Sequence, residues 1–372
     1  MKIENKISYV TYQTFPAKTA NSLQTISNIK YLNRNGFNVE LIFPLRSSDS
    51  SNDLKKIKNF YNLDEDITIR GLKHNLPFGK FKYFERLLFL ISHFIWSKNT
   101  TKTLQMELNQ PKSYFTRSDW IFYFLSRQRI PVVYECHQFT KLRKIIINKS
   151  LKSKKSKVIF LNEYLKEDYE KKYQLNDNSI VLHNGVDLEY FKNSEKNINE
   201  LIFVGNLKRF NKKRDIHFLL RAIKELDSRY TLKIIGAKES EFYELQNYID
   251  KLQISDRVAV LGYLNHKETV KEMIKSGIGI LINTDLNIHS TRYTSPLKYF
   301  EYLAAGLKIL AVDYEAHRKL PFAENISFFK NSDIESFQEA LENLNLKGSL
   351  EESNNRKISL DTRAKLIIEN LP

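Results

Sequence analysis

Several features that mark particular classes of protein are scarce in this sequence. The single cysteine, Cys136, excludes an internal disulfide and suits a reducing cytoplasm. No N-terminal stretch has the basic, apolar and small-residue order of a signal peptide. The most apolar run, LLFLISHFIW at 87–96, contains a histidine and is too short to span a bilayer. We therefore expect a cytoplasmic protein.

Acidic pairs placed to hold a metal are scarce as well. An Asp-x-Asp pair directly after a predicted strand would suggest a divalent cation site, and the sequence has none in that position. The acidic run Asp64-Glu65-Asp66 lies in a predicted loop and is typical of a solvated turn. We expect that the protein requires no metal and no other cofactor.

The residues that are present indicate a folded chain of two domains. Its 372 residues exceed the size of an ordinary single domain, and 42% of them are hydrophobic, which is enough for two apolar cores. The formal net charge is +16. This surplus favours an anionic partner, which is a nucleic acid, a phosphorylated small molecule or an acidic membrane face. Part of it is concentrated in 141–157, which holds eight Lys and Arg residues and no acid. The abundance of Lys beside Asn and Ile is equally consistent with genomic composition.

Short β-branched runs alternate with helical patterns along the whole chain. This regularity, with continuous apolar strands in the second half, predicts two doubly wound α/β domains joined near 184–200. The strands predicted in the first half are 7–12, 38–43, 114–118, 131–135, 157–161 and 179–183. Those predicted in the second half are 201–205, 231–236, 257–262, 278–283 and 308–313.

The helices follow from apolar spacing and from helix-ending residues. In the first half, Leu23, Ile26, Ile29 and Leu32 recur at helical spacing, and Gly36 ends the pattern. The helices predicted in the second half are 215–226, 239–253, 266–276 and 295–305.

Three of the eleven glycines close predicted strands, namely Gly205, Gly236 and Gly262. In open α/β sheets, ligands bind at the carboxyl ends of strands, near helix N-termini. Such glycines either allow a tight turn or let a ligand approach the main chain. At least one of the three is expected to serve the turn alone.

Residues 295–306, SPLKYFEYLAAG, place a carboxylate at the margin of an apolar helix face. Ser295 is a suitable N-cap, Pro296 suits the first helical position and Gly306 is a typical helix end. Glu301 lies roughly 40° from Leu297 on a helical wheel. It either pairs with Lys298 or accepts hydrogen bonds from ligand hydroxyls, since one carboxylate can take two vicinal hydroxyls.

Three further stretches are each ambiguous taken singly. FVGNLKRFNKKRD (203–215) sets a basic loop after a strand-closing glycine, which suits either a diphosphate or solvent. Its cations are Lys208, Arg209, Lys212, Lys213 and Arg214. His137 follows a buried-type strand, where a side chain reaches either a cleft or the surface. In VLHNGVDLEYF (181–191), Asn184-Gly185 indicates a tight turn.

Together these stretches resemble the retaining glycosyltransferases of the GT-B fold, in particular the "glycosyl transferases group 1" family. VLHNGVDLEYF and SPLKYFEYLAAGLKILAVD (295–313) carry the resemblance most specifically, as the inter-domain motif and the donor-site helix with its following strand. Weaker matches are 203–215, 160–169, 15–26 and 359–371, so the similarity runs along nearly the whole chain.

The resemblance implies two Rossmann-like domains facing a cleft. Residues 1–188 would form the acceptor domain and 189–354 the nucleotide-sugar domain. Residues 355–372 would form a helix that packs back toward the first domain.

The resemblance also implies the site residues. Glu301 would bind the nucleotide ribose, and Lys212, aligned through the K-x-x-D pattern ending at Asp215, would neutralise the diphosphate. The other donor-site positions would be Gly205, Asn206, Arg209, Gly262, Tyr263, Leu264, Tyr293, Thr294 and Ser295. His137 would contact the transferred sugar, and Lys18 and Asn21 would lie on the acceptor side.

Two positions depart from the family pattern. Tyr293 stands where most members have a second acid, eight residues before Glu301, that contacts sugar hydroxyls. Asn206 stands where an arginine commonly follows the loop glycine, and Lys208 or Arg209 would take its place.

The implied activity is transfer of a sugar, with retention at the anomeric carbon, from a UDP- or GDP-type sugar to an acceptor hydroxyl. The departing diphosphate would be stabilised electrostatically, and domain closure would exclude water. The acceptor expected from kinship is a bacterial surface glycan precursor, either a glycan or a lipid-linked one, in capsule or lipopolysaccharide synthesis. One alternative keeps the fold but changes the chemistry, to a nucleotide-sugar epimerase or a phosphorylase. The other alternative is not an enzyme but a basic protein that binds nucleic acid.

Membrane contact is a further hypothesis. Residues 78–96, with the basic segment 141–157, would rest on the anionic inner face of the cytoplasmic membrane. The alternative is a core helix in the first domain beside a basic surface.

Overall fold

The computed structural model describes residues 5–46, 50–74, 76, 84–108, 110–175, 177–192, 194–209, 212–346 and 352–372. The chain divides into two compact units. Unit 1 is Met1–Leu182 with Leu360–Pro372, and unit 2 is His183–Ser359. The joins expected from the sequence fall after residues 188 and 354.

Within the described part of unit 1, seven strands form one parallel sheet in the order β3-β2-β1-β4-β5-β6-β7. The strands are β1 (Lys6–Val10), β2 (Asn38–Leu45), β3 (Thr68–Lys73), β4 (Ser113–Thr116), β5 (Val132–Cys136), β6 (Ser156–Phe160) and β7 (Ser179–Val181). The predicted strands of this half are confirmed. Strand β3 was not predicted, because TIRGLK is a polar edge strand that is only half-buried.

Helices connect these strands: α1 (Ala20–Arg34), α2 (Leu54–Tyr61), α3 (Glu85–Gln105), α4 (Asp119–Arg127), α5 (Lys141–Ser150) and α6 (Glu163–Glu170). The predicted pattern in α1 is confirmed, with Ile26, Ile29 and Leu32 in the core, although Leu23 is exposed. Thr19 caps this helix through the Ser22 amide. Residues 78–83 of the predicted 78–96 helix lie outside the described residues.

The main sheet of unit 2 is also parallel, in the order β12-β11-β8-β13-β14-β15. The strands of this unit are β8 (Asn197–Val204), β9 (Lys208–Arg209), β10 (Lys212–Lys213), β11 (Thr231–Ile235), β12 (Val258–Gly262), β13 (Ser276–Leu281), β14 (Lys308–Val312) and β15 (Ile326–Phe329). All five predicted strands are confirmed. Strand β15, which is four residues long, and the basic hairpin of β9 and β10 were not predicted.

The helices of unit 2 are α7 (Ile216–Glu225), α8 (Glu239–Leu252), α9 (His266–Lys275), α10 (Leu297–Ala304), α11 (Glu315–Arg318), α12 (Ile334–Leu346) and α13 (Glu352–Asn355). A π-helix spans His289–Tyr293, and 3₁₀ turns span Leu188–Tyr190, Ala323–Asn325 and Arg356–Ile358. The four helices predicted in this half are confirmed.

Alternate side chains of β8 show that both faces of this sheet are covered. Leu201 and Phe203 join a core cluster with side chains of α7, α8 and α12. Ile202 and Val204 join a second cluster with side chains of α9 and α10. Successive strand residues point to opposite faces, so each face of the sheet packs against helices, as the doubly wound prediction requires.

The last helix, α14 (Leu360–Glu369), belongs to unit 1. Its Leu360, Ala364 and Ile367 side chains are buried in the same apolar cluster as those of α1. The chain therefore returns to unit 1 after completing unit 2. No helix in the described ranges is long and apolar enough to cross a bilayer.

Candidate functional site

In unit 2, three glycine turns lie side by side where β8, β11 and β12 end. The Gly205 amide donates to the Ile235 carbonyl at 2.9 Å, and the Gly236 amide donates to the Gly262 carbonyl at 2.6 Å. A Cβ at Gly236 would lie 2.6 Å from the Gly205 carbonyl oxygen, and φ there is +108°. Only glycine fits this position, because the three turns bring their main chains together at one sheet edge.

Arg214 lies against the first of these turns. A Cβ at Gly205 would meet the Arg214 Nη1 atom at 2.5 Å. The guanidinium carbon lies 5.6 Å from the centre of the Phe203 ring, and the Arg214 amide donates to the Leu207 carbonyl at 2.8 Å. Gly205 thus leaves room for a guanidinium at the end of β8, where bound anions are typically found in such sheets.

The remaining cations of the basic loop divide into two groups. Lys208 and Lys213 face α8, where Lys213 Nζ lies 2.8 Å from Glu244 Oε1 and Lys208 Nζ lies 4.0 Å from Glu241 Oε1. Lys212, opposite Arg209 in the hairpin, is exposed and has no ion-pair partner among the described residues. The side chain of Arg209 lies outside the described residues.

Glu301 is mostly buried on α10 and is paired. Its Oε2 accepts from Lys298 Nζ at 2.5 Å, and its Oε1 lies 3.8 Å from His266 Nε2 at the start of α9. Burial raises the pKa of Glu301, but Lys298 and then His266 outweigh it and bring the pKa to about 2. The ion pair considered from the sequence is therefore present. The carboxylate stays ionised and keeps acceptor capacity on both oxygens.

Tyr302, which follows Glu301 on α10, reaches the end of β8 beside the first glycine turn. The Tyr302 hydroxyl accepts from the Val204 amide at 3.0 Å, one residue before Gly205. A Cβ at Gly279 would meet the Tyr302 ring at 2.5 Å, so this glycine of β13 makes room for the aromatic side chain. The carboxylate and the glycine turn beside Arg214 are thus joined through one tyrosine.

The two segments that carried the family resemblance contact each other inside unit 2. The Asn184 amide donates to Ser295 Oγ at 3.1 Å, and Asn184 Nδ2 donates to the Ser295 carbonyl at 2.6 Å. The prediction of Ser295 as the N-cap of the donor-site helix is therefore wrong. Its hydroxyl is taken by Asn184, and α10 begins after Pro296 with no side-chain cap.

The other predicted donor residues differ in their exposure. Tyr263 follows the Gly262 turn and is 74% exposed, Asn206 is exposed and Leu264 is half-buried. Thr294 and Tyr293 are buried. Tyr263 is therefore the large aromatic surface available beside the glycine turns.

In unit 1, His137 and Asn21 line one cavity of about 450 Å³, together with polar and aromatic side chains that include Gln13, Asp119 and Trp120. Lys18 is exposed and does not line this cavity. The structure thus brings together two of the three residues that the resemblance assigned to this half of the chain.

Both ring nitrogens of His137 are used inside unit 1. Arg117 Nη2 donates to Nδ1 at 2.8 Å, which leaves the proton on Nε2, and Nε2 donates to Glu135 Oε1 at 2.5 Å. Burial and then Arg117 lower the pKa of His137 to about 3, against the opposing effect of Glu135. His137 is therefore neutral, and a sugar hydroxyl reaches either nitrogen only by displacing Glu135 or Arg117.

Glu135 is the buried centre of this network. Arg363, from the last helix, donates to Glu135 Oε2 at 2.6 Å and to Asn28 Oδ1 at 2.9 Å. Burial raises the pKa of Glu135, but Arg363, His137 and Arg117 hold it well below its usual range. Glu135 is not among the residues predicted from the sequence, although an acid inside the apolar strand VVYEC indicates that a partner is required.

Comparison with known proteins identifies the fold of the chain and a family match within unit 2. HepE of Anabaena, solved in complex with UDP, is 12% identical, has a TM-score of 0.67 and matches over 98% of both chains. Sucrose-phosphate synthase of Thermosynechococcus elongatus is 12% identical, with a TM-score of 0.66 over 99% of this chain and 95% of that one. The lipopolysaccharide outer core galactosyltransferase WaaB is 14% identical, with a TM-score of 0.64 over 98% of both chains.

At these identities the similarity establishes the fold. No curated protein sequence matches the chain. Residues 188–358 match the family described as glycosyl transferases group 1, which confirms the resemblance noted in the sequence. The chain therefore has the GT-B fold, and residues 188–358 match the glycosyl transferases group 1 family.

Proposed function

We propose that this protein transfers a sugar from a nucleotide diphosphate-sugar to a hydroxyl of a glycan or lipid-linked acceptor, with retention at the anomeric carbon. The observation that carries the proposal is the sheet edge of unit 2. There, Tyr302 links the ionised carboxylate of Glu301 to the Gly205 turn, and the Arg214 guanidinium lies against that turn.

The roles of the donor-site residues follow from their chemistry. Glu301 accepts hydrogen bonds from the two ribose hydroxyls, since its pairs with Lys298 and His266 leave lone pairs on both oxygens. Arg214 and Lys212 supply positive charge to the diphosphate, whose negative charge grows as the bond to the sugar breaks. Tyr263 offers its exposed ring to the base. Thr294 and Ser295 lie before α10 and would offer main-chain amides to the phosphates.

The acceptor side of the proposal rests on unit 1. Its cavity holds His137 and Asn21, with Trp120 as an apolar surface for a sugar ring. The similar solved structures include HepE in complex with UDP-glucose and WaaG, a glycosyltransferase involved in lipopolysaccharide biosynthesis. This supports a nucleotide-sugar donor, and a task in surface polysaccharide synthesis at the inner membrane face is part of the proposal. That no metal is required stays part of the proposal.

Thermal-shift measurement against UDP, GDP, ADP and their sugar conjugates tests donor binding. We expect the nucleoside diphosphate of one base to stabilise the wild type by about 2–3 kcal/mol at a hundredfold excess over its Kd. Glu301→Ala should lose this stabilisation, whereas Glu339→Gln, an exposed acid on α12, should retain it. A wild type that responds to none of these nucleotides would contradict the proposal.

Nuclear magnetic resonance of the products tests the chemistry. The anomeric configuration of the transferred sugar should match that of the donor. A product of opposite configuration would overturn retention. An epimerised nucleotide-sugar formed without any acceptor would identify the enzyme as the epimerase considered from the sequence.

A further inference from the structure

Helix α3 buries several polar side chains and, over its first half, exposes apolar ones, although its Trp96 and Leu104 side chains are buried as well. Ser92, His93, Ser97, Thr100 and Thr101 are all buried. Phe84, directly before the helix, and Leu87, Leu90 and Ile91 on it are each at least 45% exposed. A helix that faces its own core on one side and water on the other shows the reverse distribution.

Internal hydrogen bonds fix this orientation. The Ser92 hydroxyl lies 2.6 Å from the Tyr12 hydroxyl and 2.7 Å from His74 Nε2. The His93 ring stacks on Tyr12 with 4.5 Å between centroids, and its Nε2 lies 2.6 Å from Ser118 Oγ. Rotating α3 to bury its apolar stripe would break all of these contacts, so the outward apolar face belongs to the fold.

Helix α5 extends the apolar surface and adds positive charge. Leu142 and Ile145 are each at least 41% exposed, and α4 packs between α3 and α5. Lys141 and Lys149, four residues on either side of Ile145, are exposed on the same helix face. On α3, exposed Lys98 and Lys102 continue the line of Leu87 and Ile91 at helical spacing. We call the six apolar residues Phe84, Leu87, Leu90, Ile91, Leu142 and Ile145 the α3–α5 face.

We propose that the α3–α5 face rests on an anionic bilayer surface. Large apolar side chains that enter the headgroup layer, with lysines beside them, are the pattern of an interfacial helix. The lysines match the negative charge of the lipid headgroups. Both α3 and α5 contribute, so the contact is broader than the basic segment alone.

This face adjoins the cavity that the proposed function assigns to the acceptor. Leu90 and Leu142 belong both to the α3–α5 face and to the lining of the cavity that contains His137. The inference rests on the proposed function in this respect, and it selects the lipid-linked class of acceptor. The lipid would stay in the bilayer while its sugar enters the cavity.

Flotation with vesicles tests the contact. The full chain is mixed with vesicles of equal parts phosphatidylglycerol and phosphatidylethanolamine, or of phosphatidylcholine alone. We expect binding to the anionic vesicles and about a tenfold loss in the Leu87→Glu/Ile91→Glu variant. Neither residue lines the cavity. Ile198→Glu/Tyr243→Glu, which changes two exposed apolar residues of unit 2, should bind as the wild type does.

Circular dichroism confirms that each variant is folded. Should Leu87→Glu/Ile91→Glu unfold, Leu87→Gln/Ile91→Gln and Lys98→Glu/Lys102→Glu replace it, with the same loss expected. Equal binding by folded variants and wild type would overturn the proposal. A wild-type dimer in solution that the face variants dissociate, with no vesicle binding, would overturn it in favour of a second copy of the chain.

Nucleotide binding, measured on the same preparations, distinguishes a failure of the membrane contact from a failure of the proposed sugar transfer. A wild type that binds nucleotide-sugar but no vesicles contradicts the membrane contact alone. A wild type that binds vesicles but no nucleotide contradicts the proposed function alone.

Discussion

Two arginines and a histidine share the carboxylate of Glu135, which is fully buried in a central strand of unit 1. Moving such a charge out of water costs several kcal/mol, and the attraction of its partners offsets that cost only when the geometry is good. Arg363 makes the closest cationic contact, at 2.6 Å, and is itself only 3% exposed. Loss of this one partner leaves the buried charge poorly compensated.

We expect Arg363→Met to destabilise unit 1 by about 3–5 kcal/mol, because it removes one partner of a buried pair. Both tryptophans, Trp96 and Trp120, lie in unit 1, so urea unfolding followed by their fluorescence reports on this unit. The matched control is Lys365→Met on the same helix. Lys365 forms an exposed pair with Asp361, whose loss should lower the free energy of unfolding by about 1 kcal/mol or less.

A second variant separates lost charge pairing from lost packing. Adding Glu135→Gln to Arg363→Met removes the uncompensated charge and should recover part of the stability. Equal losses of unfolding free energy in Arg363→Met and Lys365→Met would show that the buried Arg363–Glu135 pair contributes no more than an exposed pair.

Some pairings at this scale can be predicted from the sequence, and others cannot. The Lys298–Glu301 pair is local, three residues apart on one helix, and spacing alone indicated it. Arg363 and Glu135 are 228 residues apart, so only the folded chain brings them together. The K-x-x-D spacing selected Lys212, and it gave no indication that the Arg214 side chain lies against Gly205.

At the scale of elements, α10 ends where its sequence predicts. The Gly306 amide donates to the Leu303 carbonyl and the Leu307 amide to the Tyr302 carbonyl, with φ of +68° at Gly306. This is the Schellman arrangement, which satisfies carbonyls that the helix itself leaves unpaired.

We predict that Gly306→Ala lowers the free energy of unfolding of unit 2 by about 1 kcal/mol, because a Cβ disfavours the left-handed region. Gly306→Asn should cost less, since asparagine tolerates that region better. Chemical denaturation followed by circular dichroism provides the comparison. Equal effects of Ala and Asn would show that backbone conformation is not what selects glycine here.

Element prediction succeeded where apolar periodicity was strong and failed at sheet edges. The central strands are continuous apolar runs, which is why they were predicted. Strand β3 lies at an edge and carries Arg70, which pairs with Glu40 and Glu107. Apolar and polar residues therefore do not alternate regularly along β3, and the pattern that identifies a strand is lost. The apolar residues of 87–96 fall on several sides of α3, so the sequence did not indicate which side faces the core.

At the scale of the whole molecule, two histidines of unit 1, His93 and His137, have strongly lowered pKa values, and burial and Arg46 also lower the pKa of His74. Burial lowers the pKa of His93 to about 4, opposed by Asp119 and assisted by Arg143 and Arg46. His137 has its pKa lowered to about 3. In the unfolded chain both titrate near 6.5. Between these values the unfolded state binds more protons, so stability must fall as the pH falls.

We expect unit 1 to lose stability from about pH 6.5 downward, with each histidine contributing up to about 1.4 kcal/mol per pH unit. Glu135 adds a further loss at lower pH, since its folded pKa is depressed and its stabilisation disappears as it protonates. Urea unfolding followed by tryptophan fluorescence between pH 7 and about 4.5 measures the slope. His93→Gln keeps a hydrogen-bonding group near Ser118. It should reduce the slope of unfolding free energy against pH by the contribution of one histidine. An unchanged slope would contradict a neutral, buried His93.

The binding of a 2′,3′-dideoxynucleoside diphosphate, compared with its ribose form, tests the role of Glu301 most directly. Isothermal titration calorimetry measures both ligands on the wild type and on Glu301→Ala, using the base selected by the thermal-shift panel. If the carboxylate holds the ribose hydroxyls, the wild type should bind the ribose form about a hundredfold more tightly. Glu301→Ala should bind both forms with nearly equal, weak affinity. The same discrimination in both proteins would mean that Glu301 does not contact the ribose.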